Sequence, residues 1–331
     1  MPQILADALL LFVTVIWGTT FVLVKGAISS VRPFTFLAVR FAIGGISLLL
    51  WLFVRKIRVS GKAQANAVIG GMEPVKNHGD TIISADSTVL AKSSGSFVKG
   101  AIITGITLLL AYATQTFGLL TVAAGKAAFI TGLSVVIVPV ASAFLLKTAP
   151  NRSTAMGVIL AATGLCLMSL TLPFRVEYGD LLVFLCAIFF AAHILLVGTY
   201  SRENDPVVFA AIQLIVVAAG SFAAAMLLER PLSVPREAWG AIIYTATVAT
   251  AVTVLIQSAV QKYTSATHTA LIFSAEPVFG AIFAWMMLGE ILSPREMAGA
   301  VLILSGMLVS EIAPRQRQLE SRNSVAAGKD R

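Results

Sequence analysis

Charge is what this sequence has least of. Only 12% of its 331 residues are Asp, Glu, Lys or Arg, about half the share of a soluble domain. Hydrophobic residues make up 57%, and the mean hydropathy is +0.89. That balance excludes an ordinary water-soluble globule and points to an integral membrane protein. Cysteine is nearly absent: Cys166 and Cys186 both fall inside apolar runs, which leaves no disulfide framework and no metal-ligand spacing. No P-loop pattern occurs, so ATP-driven pumping is not expected. No clustering of His, Cys and Asp suggests catalysis, so neither an enzyme nor a cofactor is expected. The first apolar run lacks a basic leader and is expected to be a retained helix rather than a cleaved signal. The net charge of +8 does not indicate nucleic acid, because the basic residues lie between apolar runs and in the tail, where they orient membrane helices.

What the chain does have is length of hydrophobic run. A helix needs about 20 mostly apolar residues to cross a bilayer. Ten stretches qualify or nearly so: 4–24, 34–54, 99–120, 126–146, 153–171, 178–199, 206–228, 239–260, 268–288 and 294–312. The fold class expected is therefore all-α integral membrane with ten transmembrane helices. Two polar stretches interrupt the pattern, a loop at 55–98 and a basic tail at 313–331, and both are expected to be mobile. With the N-terminus inside, 16 Lys and Arg fall on the inner side and 7 on the outer. That bias favours two cytoplasmic termini, although 12 of the 16 come from the 55–98 loop with Lys99 and from the tail.

The chain also matches itself. Slid along itself until Asp7 falls on Asp180, it also places Leu23-Val24 on Leu196-Val197, Pro33 on Pro206 and Phe36 on Phe209. A second, shorter offset places Gln115 on Gln257, Ala128 on Ala270, Gly157 on Gly299 and Gly164 on Gly306. The difference between the two offsets is close to the excess length of the 55–98 loop. Two five-helix halves follow, 1–171 and 172–312. Because five is odd, they must cross the membrane in opposite senses, the inverted-repeat signature of secondary transporters with a midplane site.

Charge inside a span is a functional-site hypothesis by default. Glu276 and Pro277 lie inside the run 268–288, and Arg40 inside 34–54. At 1.5 Å per residue, Arg40 sits about 9 Å from one membrane face and Glu276 about 12 Å from the other. Their depths in a ~30 Å core therefore differ by about 9 Å, and a direct salt bridge would need both side chains to reach. Arg40 could equally be an internal brace. Polar stripes at helical spacing (Thr250, Thr253 and Gln257; Tyr112 and Gln115; Thr131 and Ser134) either hold helices together or line a cavity. His193, one turn from Phe189, is a satisfied core histidine or a cavity-lining proton acceptor. Trp17 lies deep in its run, which weakens the interface-anchor reading. Lys126 and His268, at matched helix starts, read as interfacial residues. Glu73, His78, Asp80 and Asp86 read as solvated loop.

Four motifs together carry a family resemblance: Trp17-Gly-Thr-Thr-Phe21, Ala38-Val-Arg-Phe41, Ala128-Phe-Ile-Thr-Gly-Leu133, and Glu276-Pro-Val with Leu288-Gly-Glu290. With the two five-helix halves, the chain resembles the EamA-like exporters of the drug/metabolite transporter superfamily over nearly its whole length. The resemblance implies ten helices, both termini inside, a central cavity lined by helices 1–4 and 6–9, and export of amino acids or similar metabolites by alternating access. Leu146-Lys-Thr-Ala stands where the family often has a Gly-Glu or Arg-Glu pair, and the 55–98 loop is longer than usual. The substrate-binding residues expected are Trp17, Arg40, Tyr112, Gln115, Phe190, His193, Gln257 and Glu276, with no metal site. The partners expected are a small amphipathic solute and membrane lipid in a plasma (cell inner) membrane, with possible proton coupling and no nucleic acid. An uptake carrier, an uncoupled facilitator and a membrane-embedded lipid-modifying enzyme are the alternatives. A cavity too small for a solute would favour a non-transporting subunit.

Overall fold

The computed structural model describes residues 1–69, 95–145, 147, 150–169, 177–201, 205–230, 232–288 and 293–327. Among them every regular element is helical, as a bilayer demands: a helix satisfies its backbone within one segment. The helices are α1 (Gln3–Gly18), α2 (Thr20–Ile28), α3 (Pro33–Ile69), α4 (Gly95–Gly118), α5 (Ala124–Gly132), α6 (Ser134–Leu145), α7 (Arg152–Ser169), α8 (Tyr178–Tyr200), α9 (Pro206–Leu228), α10 (Trp239–Ala246), α11 (Thr253–Val260), α12 (Ala266–Phe273), α13 (Glu276–Leu288) and α14 (Pro294–Ala327). Several pairs are halves of one rod. Eight rods among the described residues are long and apolar enough to cross a membrane, the last of them Ala266–Phe283. Two further helices, α7 and α14, complete the bundle; the apolar part of α7 is the shorter stretch Arg152–Leu167. The protein is a multi-pass membrane protein.

Caps fix where the rods begin. Pro33 and Pro206 each stand at a helix start, where a missing N–H costs nothing. Asp205 accepts from the Val207 and Val208 amides at 2.8 and 3.4 Å. At α3 the cap comes from the partner rod: Glu229, just past α9, accepts from the Phe34 and Thr35 amides at 2.8 and 2.7 Å. At the other end of the same two rods, Arg55 of α3 meets Asp205 at 2.7 Å. The rods α3 and α9 therefore run antiparallel and side by side.

Three rods are interrupted. α1 and α2 are separated at Thr19, whose hydroxyl donates to the Ile16 carbonyl at 2.7 Å, while Thr20 donates to Trp17 at 2.8 Å. α5 and α6 are separated at Leu133, and α12 and α13 at Ser274–Ala275, where Ser274 donates to Leu271 at 2.6 Å. Pro277 explains the last break, because it lacks the N–H that would bond back across it. The rod containing α10 and α11 carries a π-turn at Thr247–Val252, a widening often found at functional sites.

Helix extends into both polar stretches. The 55–98 segment is not loop throughout: residues 55–69 continue α3 and 95–98 belong to α4. Lys, Ala and Gln at 62–65 are helix formers, and extending an existing helix avoids the cost of nucleation. The backbone of 313–327 likewise continues α14. Glu73, His78, Asp80, Asp86, Leu146 and Glu290 lie outside the described residues, as does 70–94.

α7 and α14 pack closest through glycines. A Cβ on Gly157 would stand 2.6 Å from the Gly306 carbonyl oxygen, one on Gly306 2.5 Å from that of Gly157, and one on Gly164 would collide with Gly299. Small residues let membrane helices approach this closely. Gly306→Val is expected to lower thermal stability in detergent by about 1–3 kcal/mol through overpacking. Gly125→Ala, with nothing within 4 Å of the added carbon, should leave the midpoint unchanged. Thermal unfolding followed by size-exclusion fluorescence would read both.

Candidate functional site

The breaks at Leu133 and Ser274–Ala275 face a common cavity. Its walls come from both halves of the chain: Trp17 and Thr20 from the first rod, Leu108, Tyr112 and Gln115 from α4, and Thr131, Gly132 and Ser134 around the α5–α6 break. Phe190, His193 and Ile194 come from α8, Val254 and Gln257 from α11, and Phe273 and Glu276 from the α12–α13 break. Seven of the eight substrate-binding residues expected from sequence, all except Arg40, line this one space. The free volume among them is about 40 Å3, room for a water molecule or so.

Aromatic edges set its shape. Trp17 and Phe273 meet edge to face with ring centres 4.8 Å apart, and Tyr112 and Phe190 do the same at 5.3 Å. The Trp17 indole N–H donates to the Ala249 carbonyl and to the Thr253 hydroxyl, each at 3.1 Å. Ala249 lies in the π-turn, so the wider turn is where the first rod is anchored to α10 and α11.

Arg40 lies behind the wall. It is 2% exposed, its Nε donates to Thr250 Oγ1 at 2.8 Å, and its guanidinium lies 4.9 Å from the centre of the Tyr112 ring and 5.4 Å from that of Phe41. It braces α3 against the π-turn and backs Tyr112. Thr250 and Thr253, read from sequence as one stripe, thus serve two different partners.

His193 is oriented by Gln213. The Gln213 amide nitrogen donates to the Phe209 carbonyl at 3.1 Å, which turns its oxygen toward His193 Nε2 at 2.8 Å. The imidazole therefore donates at Nε2, and in the neutral ring Nδ1 is left as an acceptor. Gln257 donates to Gln261 at 3.0 Å, and Gln261 to the Ile194 carbonyl at 2.5 Å. Gln115 makes only a long contact, 3.5 Å, to Thr131. Glu276 opens α13, where the positive end of the helix favours a carboxylate. At the matched position under the second offset, α6 opens with Ser134, which is uncharged.

Gln213 and Gln261 were missed from sequence. Gln213 occupies the position of Arg40 under the first offset, and that correspondence was the signal that could have found it. Trp285, inside the run 268–288, is 58% exposed and belongs to the outer surface. Among the described residues no group of three His, Cys, Asp or Glu could hold a metal ion.

The sequence model of the EamA-like transporter family matches residues 4–170 and 177–311. An uncharacterized transporter of Archaeoglobus fulgidus is 30% identical over 93% of this chain and 86% of its own length. The uncharacterized transporter YoaV of Bacillus subtilis is 22% identical over 93% of this chain and 97% of its own. One crystal structure superposes with a TM-score of 0.69 at 16% identity, covering 94% of this chain and 98% of that one, a likeness of fold alone.

Gln213→Leu should leave His193 Nε2 buried without its acceptor. The expected loss is about 1–3 kcal/mol of stability, read by thermal unfolding. Gln115→Leu, which removes only the long contact to Thr131, should cost less.

Proposed function

The chain belongs to the EamA-like transporter family, and on that premise we propose that it is a secondary transporter, an exporter of amino acids or similar small metabolites, working by alternating access. One observation carries the reading: a single carboxylate, Glu276, among aromatic and amide side chains in a cavity where two interrupted helices meet. Half-helix N-termini at midplane breaks are where such carriers hold charged groups. Glu276 would meet a substrate ammonium group or a coupling proton. The start of α6 at Ser134 offers an unopposed positive helix end to a carboxylate. The indole and phenyl edges suit an apolar side chain, and Gln115 and Gln257 would orient the polar end.

The same proposal includes ten spans arranged as two inverted repeats, 1–171 and 172–312. Its support is the way contacts pair across the two offsets. Under them α1 corresponds to α8, α5 to α12, α6 to α13 and α7 to α14. α1 packs on α13 as α8 packs on α6, and α1 on α12 as α8 on α5. Gly157 against Gly306 maps onto Gly299 against Gly164. The break at Leu133 falls on the break at Ala275 under the second offset. Placement in the plasma (cell inner) membrane with both termini cytoplasmic rests on the Lys and Arg bias.

The 40 Å3 cavity holds no amino acid, so transport requires the bundle to open by rocking one set of rods against the other. So small a cavity is also what a non-transporting subunit would show, and flux separates the two. Purified protein in proteoliposomes should move labelled tryptophan, phenylalanine or threonine. Glu276→Gln should abolish that flux while leaving expression and thermal stability intact. Normal flux by the variant would remove Glu276 from both roles, and no flux of any solute by the wild type would favour the subunit reading.

A further inference from the structure

Two acid–base pairs sit at corresponding places outside the central cavity. Lys126 Nζ of α5 meets Asp180 Oδ2 of α8 at 2.6 Å. Its counterpart under the two offsets is His268 Nε2 of α12 with Asp7 Oδ2 of α1, at 3.4 Å. Each pair ties a helix of one half to a helix of the other. Asp7 lies near the start of the first rod, whereas Lys126 follows three membrane-length rods, so the pairs lie at opposite ends of the bundle with the central cavity between them.

Their chemistry differs in one respect. A lysine keeps its charge across the physiological range, but an imidazole gains and loses its proton between about pH 5 and 8. The histidine pair is also longer, and it borders a second cavity of about 220 Å3, walled mainly by Leu11, Leu271, Met307 and Leu308. Asp7, His268 and Ser310 also line it, so it has the room and the polar partners to hold water beside the pair. Resting on the transporter reading, we propose that Asp7 and His268 form a proton-binding site distinct from the central cavity, which latches the bundle at the end where the chain begins. Protonated His268 neutralises the Asp7 carboxylate and holds α1 to α12. When the proton leaves, a largely buried carboxylate faces a neutral ring, and separation that lets water in is favoured. The latch closes in acid and loosens as pH rises through the imidazole range. The Lys126–Asp180 pair at the other end stays shut throughout.

The surroundings of His268 support this assignment. Asp7 is the titratable group that α1 brings to it, and α14 brings the Ser310 hydroxyl, 3.2 Å from Nδ1. α6 carries no titratable residue. On α7, Arg152 is exposed and Cys166 packs against apolar core. On α8, His193, Asp180 and Cys186 are engaged by Gln213, Lys126 and Thr131, and Tyr178 is exposed; Tyr200 packs against Gly100. Arg295 and Glu296 lie in the first turn of α14, four turns from Ser310, and Glu311 follows Ser310 in the same helix. The trio Ser310, His268 and Asp7 has the composition of a hydrolase triad. Ser310, however, is fully buried within α14, where backbone N–H groups are committed to the helix and cannot form an oxyanion hole.

The test labels the latch end with nitroxides at Ile4→Cys and Ser265→Cys, both exposed positions, after replacing Cys166 and Cys186 with alanine. The distance distribution is then measured from about pH 5.5 to 8.5. A narrow distribution in acid and a several-fold rise in a longer component at high pH are expected. Labels at Gly125→Cys and Tyr178→Cys, at the other end, should not respond. His268→Lys should stay narrow at every pH, and Asp7→Asn should lose the response. A wild-type distribution that does not change with pH, or an unchanged response in Asp7→Asn, would overturn the proposal. This readout does not depend on flux: a pH response without any solute flux supports the latch and sinks the transporter reading alone.

Discussion

Every structural choice in this chain follows from the absence of water around its backbone. In a bilayer an unpaired N–H or C=O costs several kcal/mol, so a helix can be interrupted only where protein or a wetted cavity takes up the freed groups. The interruptions here meet that condition. Thr19, Thr20 and Ser274 return hydroxyl bonds to carbonyls at the breaks, and the two breaks at Leu133 and Ser274–Ala275 converge on one cavity instead of facing lipid. A broken helix is also where a helix end, with its dipole, can reach the middle of the membrane. The same constraint that restricts the breaks therefore places polar chemistry where they meet.

Around that centre the polar groups divide into braces and walls. Arg40 ties α3 to the π-turn through Thr250, and Trp17 ties the first rod to the same turn. Gln213 holds His193, and Gln261 holds Gln257. These bonds leave Glu276 as the charged group on the wall. The glycine contacts of α7 and α14 join the remaining rods without contributing to the cavity.

Much of this was legible in the sequence, and what was not has physical reasons. Apolar run length located the rods, because little besides a bilayer keeps so long a stretch free of charge. The two offsets paired Asp7 with Asp180 and Lys126 with His268, but a repeat offset relates equivalent positions. It does not say that the acid of one half meets the base of the other, so Lys126 and His268 read as separate interfacial residues. Arg40 and Glu276 could be placed in depth, yet the partner of Arg40 depended on a π-turn whose sequence, Thr247-Val-Ala-Thr-Ala-Val252, carries no marker. The helical course of 55–69 was hidden by polarity, which signals the end of a membrane run and not the end of a helix.

On the proposed function, the cavity between the two breaks opens alternately to the two sides of the membrane. The most direct test places one cysteine there, Ser134→Cys, in a chain whose Cys166 and Cys186 are alanine, and adds an impermeant thiol reagent to either side of oriented vesicles. Labelling from both sides, with the balance shifted by a transported solute, is the predicted result. Labelling from one side only, unchanged by any solute, would contradict the account.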